Sequence, residues 1–219
     1  MINVSVTIDA ILLYCDESVT SLNLGNGYVI SKANFDDLSY KNKVTDGNGH
    51  LTINYLGSRI YGPNNTISLM CLHKDEVFQI QQPQFGANGH LTDQDLMCPD
   101  QLEAYKDSEM AYLNKIFALL NLYKMGNFGP KEVFFEYHFT VMDFIKNTQK
   151  QTSDNVTRNI VNPTIFSLTS TEVIECNQFI MRVSSPEFAM LKNSIDEFVW
   201  GLEQVDIPTA FEQYTTALE

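Results

Sequence analysis

The sequence is poor in positive charge. It sets 14 basic residues against 27 acidic ones, a net charge of −13 with histidine neutral, and its only arginines are Arg59, Arg158 and Arg182. An excess of that sign repels a phosphate backbone, so this segment alone is not expected to bind duplex nucleic acid. Cysteine is also scarce: Cys15, Cys71, Cys98 and Cys176 are scattered and form no C-x-x-C pair. They are expected to be reduced structural thiols in a cytoplasmic protein. No apolar run approaches the roughly 18 residues that a membrane span needs. The N-terminal stretch has no basic leader before an apolar run, so no secretory signal is expected. The acceptor patterns at Asn3-Val-Ser5, Asn64-Asn-Thr66 and Asn155-Val-Thr157 are then chance matches to a glycosylation site. Phosphate-cradling loops of the G-x-x-x-x-G-K and G-x-G-x-x-G kinds are missing, as is the G-x-S-x-G nucleophile elbow.

What is present suits a packed core. The chain has 219 residues, 44% hydrophobic and 11% aromatic, which is enough for one large domain or one domain with an appendage. The first 97 residues read as β-rich. Val4-Ser-Val-Thr-Ile8 alternates apolar and polar, as a half-buried strand does, and Ala10–Cys15 reads as a buried one. Tyr28–Ile30, Leu51–Leu56, Ile67–Leu72 and Val77–Ile80 are further strand candidates. His73-Lys-Asp-Glu76 reads as a turn that ends a strand. Gly25-Asn26-Gly27 and Asn48-Gly49 are tight-turn signals, because Asn and Gly tolerate positive φ.

Gln82 to Pro99 reads as a long polar surface loop. A helix over roughly 100–124 follows, with Asp100 as cap and Tyr105, Leu113, Ile116, Phe117, Leu120 and Tyr123 near one face. Val133–Val141 reads as a central strand, 146–159 as a loop, Thr164–Leu168 as a last strand and Ser170–Val173 as the opening of a short helix. Ser185-Pro-Glu187 begins another helix whose apolar stripe is Phe188, Leu191, Ile195, Phe198 and Leu202. After a break at Asp206-Ile-Pro208, Phe211, Tyr214 and Leu218 continue an apolar face that needs a partner. The expected fold is α+β: an antiparallel sheet or open barrel in the N-terminal half, packed against a long central helix and C-terminal helices.

Two constellations carry candidate chemistry. His90, Asp93, Asp95 and Cys98 gather imidazole, carboxylate and thiolate in one loop and are candidate metal ligands. Their spacing matches no specific metal pattern, and a solvated loop is the expected reading. Glu136 and His138 are two apart on a strand and point the same way, as an acid–base pair would, with Phe135 and Tyr137 on the other face. A solvent-facing hydrogen-bonded pair is the plainer reading. No cofactor is expected.

The segment Phe211-Glu-Gln-Tyr214-Thr-Thr-Ala217-Leu218-Glu219 resembles the opening of a HEPN domain of the bacterial ApeA-like kind, an amphipathic helix ending in Ala-Leu-Glu. The resemblance covers nine of the 219 residues. It implies that residues 1–205 form an α+β recognition domain and that 206–219 start a C-terminal helical domain. HEPN nucleases use an Arg, a short polar spacer and a His. None of the three arginines here has a His four to six residues downstream, so no catalytic residue carries over. The implied function is a non-catalytic recognition or regulatory module of a HEPN-type ribonuclease or phage-defence protein. Its partners would be its own HEPN-like domain or a second subunit, met through Phe211, Tyr214 and Leu218, and an unknown ligand. Two alternatives stand beside it. One is a free-standing metal-dependent or acid–base hydrolase using Glu136 and His138 with Asp93 and His90. The other is an assembly protein that dimerises through its C-terminal helices.

Overall fold

A computed structural model describes residues 2–52, 55, 60–61, 67–81, 99–124, 128–139, 148–155, 165–183, 193–194, 197 and 201. Its frame is an open antiparallel sheet of β1 (Ile2–Leu13), β2 (Val29–Asn34), β3 (Ile60–Tyr61), β4 (Ile67–Ile80), β5 (Gly129–Phe139) and β6 (Thr148–Asn155). The strand order is β2-β4-β1-β5-β6, with β3 added on β4. Among the described residues the α-helices α1 (Lys41–Val44), α2 (Pro99–Tyr123) and α3 (Ser170–Val183) accompany it. The protein is thus α+β, as expected, and the sheet does not close into a barrel.

The central strand is β1, paired with β4 on one side and β5 on the other. Its even residues Val4, Val6, Ile8, Ala10 and Leu12 are fully buried. They meet Met70, Leu72, Val133, Phe135 and Tyr137 from the neighbouring strands. Helix α2 lays Leu102, Met110, Leu113, Ile116, Phe117 and Leu120 over this face, and Cys176 and Ile180 of α3 complete the cover. Each large apolar side chain removed from water in this way contributes about 1.5–3 kcal/mol. A second, smaller cluster caps one end of the opposite face. There Ile11, Leu13, Leu69, Cys71 and Phe134 lie under Phe35, Tyr40, Val44, Leu51 and Tyr55.

Local chemistry fixes the element ends. Thr169 and Glu172 form a reciprocal capping box at α3, with Glu172 N donating to Thr169 Oγ1 at 3.2 Å and Thr169 N to Glu172 Oε2 at 2.7 Å. Asn121 stands in for backbone at the end of α2. Its Nδ2 donates to the Phe117 and Phe128 carbonyls at 2.7 and 2.9 Å, and its Oδ1 accepts from Phe128 N at 3.0 Å. Asn26 and Gly27 take φ of +50° and +79°, so that pair turns the chain into β2 as its composition predicts.

Several expectations need correction. Ile67–Leu72 and Val77–Ile80 are one 14-residue strand, and His73–Glu76 lies inside it rather than in a turn. The polar stretch read as a loop contains β6, which pairs with β5 from Glu132↔Asn155 to Phe139↔Thr148. Its polar composition misled because an edge strand need not alternate like one buried on a face. Leu51 forms an isolated bridge with Thr45 and Phe166 one with Cys15, and the described residues of these two segments belong to none of the named strands. Asp100 lies in the first turn of α2, one residue inside its start at Pro99, where its charge meets the positive helix end. Helix α3 runs for 14 residues, longer than a short cap-led helix. The segment 206–219 lies outside the described residues.

The charged tetrad inside β4 alternates like any strand, and that sends Lys74 inward. Lys74 is only 3% exposed, and its ammonium meets Glu109 of α2 at 3.0 Å and Glu76 at 2.6 Å. Tyr28 donates to Glu109 at 2.6 Å, Asn26 Nδ2 contacts both oxygens of the same carboxylate at 3.2 Å, and Tyr105 donates to Glu76 at 2.8 Å. The Lys74 ammonium also sits 5.1 Å from the Tyr28 ring centroid. Removing one member of such a buried pair strands the other charge, at a cost of about 3–5 kcal/mol. Lys74→Met should therefore lower the unfolding free energy by that order, seen as a lower urea midpoint with an unchanged slope. Adding Glu109→Leu should recover part of the loss, which equilibrium denaturation of both variants will read.

Candidate functional site

The odd residues of β1 point away from the core. Across antiparallel strands, directly opposed residues share a face. Asp9 opposes His73 of β4, and Thr7 opposes Asp75. On the other side Thr7 opposes Glu136 of β5, and Ser5 opposes His138. The register thus brings two imidazoles and three carboxylates from three adjacent strands onto one sheet face. That face is open beyond the apolar cap, with Val77 64% exposed and Val29, which opposes His73 from β2, 57% exposed.

Geometry within the group is tight. His73 Nδ1 is 2.8 Å from Asp9 Oδ1, and its Nε2 is 3.1 Å from Asp75 Oδ2. Thr7 donates its hydroxyl to Asp75 Oδ1 at 2.7 Å. His138 Nε2 is 3.1 Å from Glu136 Oε1. Asp9 sits at the edge of the apolar cap, beside Phe134, whose ring lies 5.3 Å from the Tyr40 ring. This position explains why the Asp9 carboxyl is only 15% exposed when Asp75 is 69% exposed.

Burial is the largest influence on Asp9 and raises its pKa. His73 opposes that rise, and the charges of Asp75 and Glu136 add to it. For His73, partial burial favours the neutral ring, but the hydrogen bonds and charges of Asp9 and Asp75 outweigh it, and the pKa is raised. Asp75 is held below its ordinary value, chiefly by the Thr7 hydroxyl. Slight burial opposes this and His73 reinforces it. The thiols are poor nucleophiles by contrast: burial pushes Cys71 and Cys176 up to about 11.

The expected pair Glu136 and His138 is thus in contact on the solvent face, with Phe135 and Tyr137 fully buried behind it. The pair shares that face with Asp9, His73, Asp75 and Thr7. Of these, His73 and Asp75 belong to the segment whose composition reads as a turn, and the alternation of Val4–Ile8 marks Thr7 only as a polar strand residue. Asp9 was a carboxylate whose position relative to the pair only the β1–β5 register could supply. A period-2 signal was present in both segments, since Thr7 and Asp9 share one phase and His73, Asp75 and Val77 another. It was masked in β4 because the inward residues Lys74 and Glu76 are charged too. His90, Asp93, Asp95 and Cys98 lie outside the described residues, as do Phe211, Tyr214 and Leu218. Among the described residues no group of three or more His, Cys, Asp and Glu side chains is arranged to hold a metal ion. Cys15, Cys71 and Cys176 are free and buried. No described helix is long and apolar enough to cross a membrane. No family model, curated protein or solved structure matches the chain.

The arrangement can present ordered hydrogen-bond acceptors and share protons between imidazole and carboxylate. Because Thr7 is the foremost cause of the low Asp75 value, Thr7→Val should bring the Asp75 midpoint back toward 3.8. It should change stability by less than about 1 kcal/mol, as for other exposed pairs. Carboxyl-carbon NMR titration of the variant, with a parallel denaturation curve, checks both outcomes.

Proposed function

We propose that this chain is a non-catalytic recognition or regulatory module and that the open sheet face of β4, β1 and β5 is its reading surface. The observation that carries the proposal is the placement of Thr7, Asp9, His73, Asp75, Glu136 and His138 on hydrogen-bonded strands. Strands hold their side chains in a fixed array, which suits recognition of a surface presented to them. His73 and His138 are each within hydrogen-bond distance of carboxylates of the same face, an arrangement that sets charge and shape. On this reading the intact protein couples the module to an effector, and the resemblance of Phe211–Glu219 makes that effector a HEPN-type ribonuclease.

One observation favours a second reading. The 3.1 Å contact between His138 and Glu136 is the geometry of an acid–base pair, and a hydrolase would use it directly. The two readings separate in assays of the purified chain and the intact gene product. On the module reading, the chain cleaves neither RNA nor simple esters. The natural reading frame encodes an Arg-spacer-His motif past Glu219. Val77→Lys and Ser5→Lys then abolish the trigger response of the intact ribonuclease and leave its basal cleavage unchanged. A frame that stops at Glu219 overturns that reading. Hydrolysis by the chain itself, lost in both Glu136→Gln and His138→Ala, replaces it with the enzyme.

A further inference from the structure

We propose that His73 is a proton-operated latch on the sheet face, closed while its ring carries both N–H groups and opened on the Asp75 side when one of them is lost. The argument begins with donors. Asp9 Oδ1 and Asp75 Oδ2 both lie within hydrogen-bond distance of the ring, one at each nitrogen. An ionised carboxylate only accepts, and a neutral imidazole has a single N–H. Both contacts are therefore hydrogen bonds only when the ring is an imidazolium. On deprotonation the proton goes to water, one nitrogen becomes a lone pair, and that lone pair faces a carboxylate.

The surroundings decide which contact opens. Asp9 is the closer and more buried partner, at 2.8 Å and 15% exposed. Asp75 is farther and freer, at 3.1 Å and 69% exposed, and can turn to water at little cost. The remaining N–H therefore stays on Nδ1, toward Asp9. Thr7 keeps its own hydrogen bond to Asp75 from β1. From β5, Glu136 adds its charge to the field at Asp9 and is itself engaged by His138. The residue of β2 opposite His73 is Val29, which does not titrate. On the capped side lie Cys71, held as a thiol by burial, Tyr40, held as a phenol by burial, and Lys43, whose ammonium lies 5.3 Å from the Phe134 ring centroid. Lys74 and Glu76 face the other side of the sheet. Opening the latch thus removes one positive charge from a face that holds three carboxylates, and releases one of them.

The direction follows from the titration of the ring. His73 is raised above its ordinary value by Asp9 and Asp75 despite its partial burial. A base raised in the folded state adds stability that is fully present below the unfolded value, about 6.5, and is lost as pH rises through the folded value. The latch is closed on the acid side of that window and open above it. The inference does not depend on the module reading, since it concerns the protonation of the isolated chain.

Nitrogen and proton NMR of the His73 ring across pH 5 to 9 tests it, with thermal unfolding of the wild type and His73→Gln over the same range. The wild-type midpoint should lie above the ordinary imidazole value. The alkaline form should be the Nδ1–H tautomer, in contrast to the Nε2–H form that a free histidine prefers. Asp75→Asn, at an exposed position that leaves the fold intact, should lower the midpoint without changing the tautomer. The loss of stability on going from pH 6 to 9 should shrink in His73→Gln. A midpoint at or below the ordinary value, an Nε2–H alkaline tautomer, or an undiminished pH slope in His73→Gln overturns the latch.

Discussion

The buried ammonium of Lys74 is the point from which both faces of the sheet take their order. It is held by Glu109 from α2 and Glu76 from its own strand, and Glu109 also takes hydrogen bonds from Tyr28 and Asn26. In a strand the side chains alternate, so fixing Lys74 inward fixes His73 and Asp75 outward. A register slip of one residue would strand the ammonium in solvent, leave Glu109 uncompensated in the interior, and turn His73 away from Asp9. The interior network and the exterior cluster are two consequences of the same four residues, His73–Glu76. A hydrophobic residue in place of Lys74 would fill the volume but would not choose a partner on α2, so the ion pair contributes specificity of docking as well as contact.

Much of the frame is legible from pattern alone, because the period of the apolar residues is a direct readout of burial. The alternation at Val4–Ile8 appears as the central strand, and the helical spacing from Tyr105 to Tyr123 appears as α2 with Leu113, Ile116, Phe117 and Leu120 buried. Glu136 and His138 share the face that their separation of two requires. Legibility fails where tertiary partners override hydropathy. Lys74 is a charged residue at a core position, and nothing local to it announces that Glu109 waits 35 residues downstream. Strand β6 is polar throughout, so its pairing with β5 leaves no mark in its own composition. The meeting of Asp9 with His73 depends on a register across 64 residues, which pairing of whole strands decides and local sequence does not.

The electrostatic pattern of the folded chain opposes itself across the pH scale. Asp75, Glu76 and Asp16 are held below their ordinary values, so the stability they contribute is lost as pH falls through those lowered values. Asp9 and His73 are raised, so folding favours their protonated forms and their contribution grows in the acid direction. The two sets bracket an interval bounded below by carboxylates that hydrogen bonds keep ionised and above by the imidazole. An acidic chain gains from this arrangement. A net charge of −13 grows more costly as pH rises, and a protonated His73 offsets part of that cost where carboxylates are densest.

A polar group on loops can adjust to whatever approaches it, whereas a group on paired strands has its spacing set by the ladder. The long polar segment 82–98 is where composition first directs attention, since loops commonly carry function. The sheet face argues differently. Its six polar side chains come from three strands whose relative positions are fixed by backbone pairing, with a packed core behind them and an apolar cap at one end. Placing the cap beside Asp9 buries that carboxyl far more than Asp75, and the unequal burial makes the two contacts of His73 unequal. A symmetric clamp would lose its proton without preferring a side. The graded exposure along the face, from Phe134 through Asp9 to Asp75, gives the proton loss a direction.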